Sequence, residues 1–159
     1  MKIGKNSFII LLIITLLGTG GYYAFRDRVQ LGLNNRIAYS LELNREAAEP
    51  FSESKYAEAR ELLLESLSLN KLNPHTFACL AFVEQNLGNS QQAYEHFVST
   101  LNMEATSVEI ISNLAELLIE SGHYAEAERY LKYGLQDYAE SEILLELLDN
   151  VKSLKKGNN

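Results

Sequence analysis

Apolar positions along the chain form one unbroken run and then settle into a helical rhythm. Residues 8–25, FIILLIITLLGTGGYYAF, carry no charge. As a helix they would span roughly 27 Å at about 1.5 Å per residue, close to the hydrocarbon thickness of a bilayer. Lys2 and Lys5 precede the run, and Arg26 and Arg28 follow it. Tyr22 and Tyr23 lie toward its far end, where amphipathic rings suit a membrane interface. The run is therefore expected to be a transmembrane anchor or uncleaved signal behind a basic N-terminus of residues 1–7. A cleaved signal peptide is the competing reading, with Phe8–Leu17 as its apolar region and Gly18-Thr19-Gly20 as small residues for cleavage. Positive charge is nearly balanced across the run. Signal-like N-terminal segments usually keep their start in the cytoplasm, so the reading is a single-pass membrane protein whose remaining domain is extracytoplasmic, periplasmic in a bacterium.

Past the run, leucines and other apolar residues recur at three- and four-residue spacing rather than alternating. Only Pro50 and Pro74 interrupt a chain rich in Leu, Ala and Glu. Both facts predict an all-α fold. The pattern also repeats. Tyr-Ala-Glu-Ala stands at Tyr56–Ala59 and again at Tyr124–Ala127, 68 residues apart, which is twice 34. Ala93 lies midway on the same grid. Leu80 matches Leu114, Ala81 matches Ala115, Gly88 matches Gly122, and Leu101 matches Leu135. A fixed period in this range signals stacked supersecondary units.

With this period and these residues, the chain resembles the tetratricopeptide-repeat family. Helix A of that repeat carries a large apolar residue followed by Leu and a small residue, as in Phe77-Leu80-Ala81 and Ile111-Leu114-Ala115. Helix B carries a small residue, a bulky one four later and a small-Leu pair. Ala93, Phe97 and Thr100-Leu101 fit, as do Ala127, Leu131 and Gly134-Leu135. The resemblance implies a right-handed α-α superhelix of antiparallel helix pairs. It places repeats at 74–107 and 108–141, a degenerate repeat at about 30–73 and a capping helix at 142–155, so that the domain spans 30–155. In the degenerate unit only helix B matches, through Ala59, Leu63 and Ser66-Leu67. Counting back one period puts Pro50 inside its helix A, where proline costs about 3 kcal/mol or more. A helix end near Ala48 and an inserted segment Glu49–Ser54 are expected. The preceding helix should pack through Val29, Leu33, Ile37, Leu41 and Ala47.

The formal net charge of −7, or about −9 once Lys2 and Lys5 are set aside, weighs against nucleic acid as a partner. The single cysteine, Cys79, cannot build an internal disulfide or a cysteine-rich metal site, and its apolar run reads as a small buried hydrophobe. No zinc-binding, phosphate-loop or hydrolase motif is present. His75, His96 and His123 fall at a helix start, on a helix B and in a turn, and read as surface residues. The chain is therefore expected to be a non-enzyme without metal or cofactor.

The resemblance also implies a concave surface lined by helix A. It marks His75, Ala78, Phe82, Gln85 and Asn86 in one repeat and Glu109, Ser112, Glu116, Ile119 and Glu120 in the next, with Ile143 and Glu146 of the cap extending the row. Phe82 is expected to stand exposed there as an anchor for a partner segment. The clamp with which some family members grip acidic chaperone tails needs Lys and Asn where this chain has Ala78, Phe82, Ser112 and Glu116, so such tails are not expected to bind. The expected partner is a neutral to basic protein or peptide with an apolar anchor. The expected role is a membrane-tethered interaction scaffold in a secretion, pilus or envelope assembly. Self-association into a structural oligomer, or a soluble exported domain after signal cleavage, is the alternative.

Overall fold

The computed structural model describes residues 20–156, which lie in eight helices joined by short turns. These are α1 (Lys5–Glu46), α2 (Ala48–Ser52), α3 (Tyr56–Leu69), α4 (Pro74–Asn86), α5 (Ser90–Asn102), α6 (Val108–Glu120), α7 (Tyr124–Asp137) and α8 (Glu142–Gly157). The chain divides into two compact units, one ending at Tyr39 and one beginning at Ser40.

In the first unit, α1 exposes Tyr22, Tyr23, Phe25, Val29, Leu31 and Leu33. The rings of Tyr22 and Tyr23 meet edge-on at 5.7 Å, and the Arg26 guanidinium lies 5.0 Å from the centre of the Tyr23 ring. Among the described residues no helix is long and apolar enough to cross a membrane. Residues 8–19 of the expected span, and the basic N-terminus 1–7, lie outside them.

The second unit begins 34 residues ahead of Pro74. Its first helix A is the end of α1 together with α2. The expected helix end near Ala48 is there as a one-residue interruption at Ala47, between Glu46 and Ala48, but the segment that follows is helical through Ser52 rather than an inserted loop. Pro50 is the third residue of α2, buried, and the helical bonds Ala47 N–H to Leu43 C=O (3.0 Å) and Phe51 N–H to Ala47 C=O (3.1 Å) carry the chain past it. Proline cannot donate, so the helical bonding lapses at Ala47 and resumes at Ala48. The packing face of this helix is Ser40, Leu43, Asn44 and Ala47, while Leu41 is 54% exposed. Of the apolar series expected to pack, only Ala47 is fully buried, because the contact follows a face one step round the helix.

A turn that keeps the grid follows. Ser54, Gly88 and Gly122 stand 34 residues apart with φ of 61°, 78° and 75°. After each, the next N–H reaches back five residues: Lys55 to Pro50 C=O (2.8 Å), Asn89 to Glu84 C=O (2.8 Å) and His123 to Leu118 C=O (2.7 Å). This is the left-handed helix ending that glycine favours. Ser54 adopts it at a cost of roughly 1–2 kcal/mol, since a Cβ crowds the following carbonyl. At the starts, the Asn73 side chain accepts from His75 N–H with Pro74 in the first turn, and Ser107 accepts from Ile110 N–H.

Small residues sit where the helices cross. Ala59, Ala81, Ala93, Ala115 and Ala127 are fully buried beside Leu63, Leu80, Phe97, Leu114 and Leu131. Gly134 is tighter still. A Cβ there would come 2.6 Å from Ile111 Cδ1 and 3.1 Å from Leu144 Cδ1, so α7 lies almost backbone-close to α6 and α8. Leu144, Leu148 and Val151 of α8 close the end of this core.

Polar ties join consecutive helix pairs. Buried Glu84 accepts from Arg60 at 2.5 Å and from Asn89 Nδ2 at 2.7 Å. Those bonds hold its carboxyl below the usual range, although burial alone pushes it the other way. Ser40, Asn44, Ser66 and Thr76 form a buried hydroxyl and amide cluster, with Asn44 Nδ2 donating to Thr76 Oγ1 at 2.8 Å and Ser66 Oγ donating to Ser40 C=O at 2.9 Å. Tyr94 OH donates to Glu126 at 2.8 Å. Glu128 of α7 lies between Lys132 (2.6 Å) and Lys155 of α8 (2.5 Å), which lower its pKa from 4.5 to about 2. A depressed carboxyl stabilises the fold above its unfolded value and loses that contribution as pH falls through the folded one. Glu128→Gln should therefore melt below the parent at neutral pH, and the gap should close between pH 4.5 and about 2. A gap that stays constant over a melting series in that range would show that Glu128 does not fasten α8.

Candidate functional site

The residues expected to line the groove divide by burial. His75, Asn86, Glu109, Glu116 and Glu120 are exposed, and Phe82, Gln85 and Ile119 are half-buried. Ala78 is 9% exposed and Ser112 is 8% exposed. Neither belongs to an open surface. Both are small residues covered where neighbouring elements meet, and Ser112 spends its hydroxyl on Glu109 C=O at 3.1 Å. Asn86 turns back to Phe82 C=O at 2.8 Å. From α8, Ile143 and Glu146 are exposed.

Phe82 is not the free-standing anchor expected. Its ring packs edge-on against Phe97 at 5.3 Å and 84°, which closes the space above α5. Such a pair gains about 0.5–1.5 kcal/mol beyond its buried area, so Phe82 acts first as packing. Its outer edge still forms one wall of a cleft.

That cleft lies between the α1–α2 turn and α4, and its volume is about 230 Å³. Asn44, Ala47, Ala48 and Phe51 line one side, and His75, Cys79, Phe82 and Val83 line the other, with Leu63 of α3 below. Of these residues only His75 and Phe82 were singled out for the groove by sequence; the other seven were not. The signal that finds three of them is the 34-residue grid carried back through Pro50, which sets Asn44, Ala48 and Phe51 at the register positions of Ala78, Phe82 and Gln85.

Cys79 is half-buried at the cleft rather than sealed in the core, with its Sγ 3.7 Å from His75 Nε2. Burial pushes the thiol pKa up, so the thiolate is scarce at neutral pH. His96 is also not a plain surface residue. Its ring lies 5.8 Å from that of Phe77, and burial pushes its imidazole pKa down. Among the described residues no three His, Cys, Asp or Glu side chains come together to hold a metal ion.

Residues 85–148 fit the family model of the tetratricopeptide repeat. This is a tetratricopeptide-repeat fold. The Arabidopsis OM64 TPR domain superposes with a TM-score of 0.68 at 14% identity, over 74% of this chain and 98% of that one. The second TPR domain of human RPAP3, solved with an HSP70 peptide, gives 0.64 at 13% identity, over 76% and 98%. The Yersinia enterocolitica type III secretion chaperone SycD, solved with a peptide of the translocator YopD, gives 0.60 at 22% identity, over 73% and 88%. Likeness at such identities carries the fold and not the ligand. Among curated proteins nothing matches the chain.

Proposed function

We propose that this chain is a protein-interaction scaffold, tethered to a membrane through residues 8–25 with its repeat domain outside the cytoplasm, and that it carries out no catalysis. The observation that carries this reading is the α6 face, where exposed Glu109, Glu116 and Glu120 flank half-buried Ile119. A surface of that kind suits a basic polypeptide segment with an apolar anchor. The peptides held by the RPAP3 and SycD folds support a peptide as the class of partner. An acidic tail of the kind that RPAP3 holds would meet Glu116 where a clamp needs a basic or amide group. A secretion, pilus or envelope assembly is the setting that a tethered, acidic scaffold of this size fits.

Exposed ion pairs contribute only about 0–1 kcal/mol each, so the glutamates act mainly on encounter rate and orientation. Selection from a displayed peptide library on the full chain should enrich segments with Lys or Arg beside a large apolar residue. Reversing Glu116 and Glu120 to Lys together should slow association of such a peptide and flatten its dependence on salt, read by stopped-flow at two ionic strengths. Enrichment of acidic peptides, or unchanged kinetics in the double variant, would remove this face as the interface and favour self-association.

The tether has its own test. The protein should remain with membranes through a carbonate wash and keep its N-terminal run. A mature chain that begins near Gly21 on N-terminal sequencing would show a cleaved signal and a soluble exported domain instead.

A further inference from the structure

The repeat grid shows what the cleft beside α2 lacks. Each residue around it has a counterpart 34 positions on: Ala48 corresponds to Phe82, and Leu63 to Phe97. In the second pair those two phenylalanines meet edge-on at 5.3 Å and fill the space between helix A and helix B. In the first pair the same two places hold a methyl group and a leucine. Phe51, 38% exposed, does not make up the difference, because its ring turns to Tyr56 and meets it edge-on at 5.5 Å. The result is an open cleft of about 230 Å³ with phenylalanine at two of its edges and Leu63 and Val83, almost fully buried, at its base.

We propose that this cleft receives one aromatic side chain from a partner polypeptide, which takes the place that Phe82 takes in the second repeat. The inference deepens the scaffold reading and rests on it for the source of the ring. An aromatic ring is favoured over an aliphatic group by the geometry of the counterpart. Rings pair edge-to-face at about 4.5–7 Å, and both Phe51 and Phe82 present rings at the mouth. Asn44 on the wall already bonds Thr76, and Cys79 and His75 face each other at 3.7 Å, so these polar groups ask no hydrogen bond of the guest. The chain beside the cleft carries Glu42, Glu46, Glu49 and Glu53 against Arg45 and Lys55, which pair with Glu42 and Glu53; the acidic excess favours basic residues next to the inserted ring.

The test uses the full chain in lipid nanodiscs with methyl-labelled Val and Leu. N-acetyl-phenylalaninamide should shift the Val83 and Leu63 methyl signals saturably, and N-acetyl-alaninamide should not. Ala48→Phe copies the second repeat and should abolish the shifts while melting at or above the parent temperature. Leu63→Phe fills the cleft from below and should weaken the shifts, which keeps the test open where Ala48→Phe folds poorly. A Lys-flanked phenylalanine peptide should bind at least about tenfold more tightly than its alanine version. Silent methyls in the parent, shifts that persist in both variants, or shifts that appear with rising protein concentration alone would each overturn the proposal, the last by making a second copy the occupant. Probe binding without preference for the Lys-flanked peptide would leave the cleft standing and remove the basic partner of the scaffold reading.

Discussion

Two helices can approach within backbone reach only where one of them carries almost no side chain. Ala59, Ala93 and Ala127 meet that condition on every helix B, and Ala47, Ala81 and Ala115 meet it on every helix A. Because the small residues recur every 34 positions, each pair crosses in the same way and presents the same face to the next. Gly134 is the extreme of the series, where even a methyl group would press on Ile111 and Leu144. The large side chains then fill what remains: Leu63, Phe97 and Leu131 stand at one register position, and all are at most 2% exposed. The ties between pairs add orientation. Glu84 with Arg60 is held partly in solvent by Arg60, so it contributes less than a sealed pair would cost to break, about 3–5 kcal/mol.

The cleft follows from the same constraint. A repeat stack fixes the backbone of each pair before the side chains are chosen, so a smaller residue at a register position leaves space that the helices cannot collapse to remove. Ala48 and Leu63 leave that space in the first repeat, and Phe82 and Phe97 close it in the second. Ala48 lies on the solvent side of helix A, so the lost volume opens outward instead of becoming a sealed void. The acidic row on α6 has a different origin. Glu116 occupies the position of Ala48 and Phe82 and turns to water, which gives the three repeats an open, a packed and a charged version of one site.

Much of this was legible in the sequence. The second and third helix pairs could be read because their small residues, their large residues and Gly88 and Gly122 all mark the same grid. The first pair was obscured by two local substitutions. Pro50 does mark a helix end, at Glu46, but the interruption is one residue long and the chain is helical again from Ala48, so no loop is inserted. Ser54 stands where the other turns have glycine, and its positive φ is set by the surrounding bonds rather than by its own preference. The groove was harder to read, because register tells which way a residue points but not what covers it. Ala78 and Ser112 point along the predicted row and are buried by their neighbours, and Phe82 is claimed by Phe97. The membrane segment was marked by composition alone, and residues 8–19 lie outside the part of the chain on which the packing argument rests.

The central claim is that small residues at one register position set the spacing of the whole stack. It is tested most directly by placing leucine at Ala59, Ala93 and Ala127 in turn and following the loss of helical circular dichroism on heating. Each variant is expected to lose about 1–3 kcal/mol through overpacking, with the three losses of similar size because the three crossings are equivalent. Variants that melt like the parent would contradict the claim and show that the helices cross elsewhere.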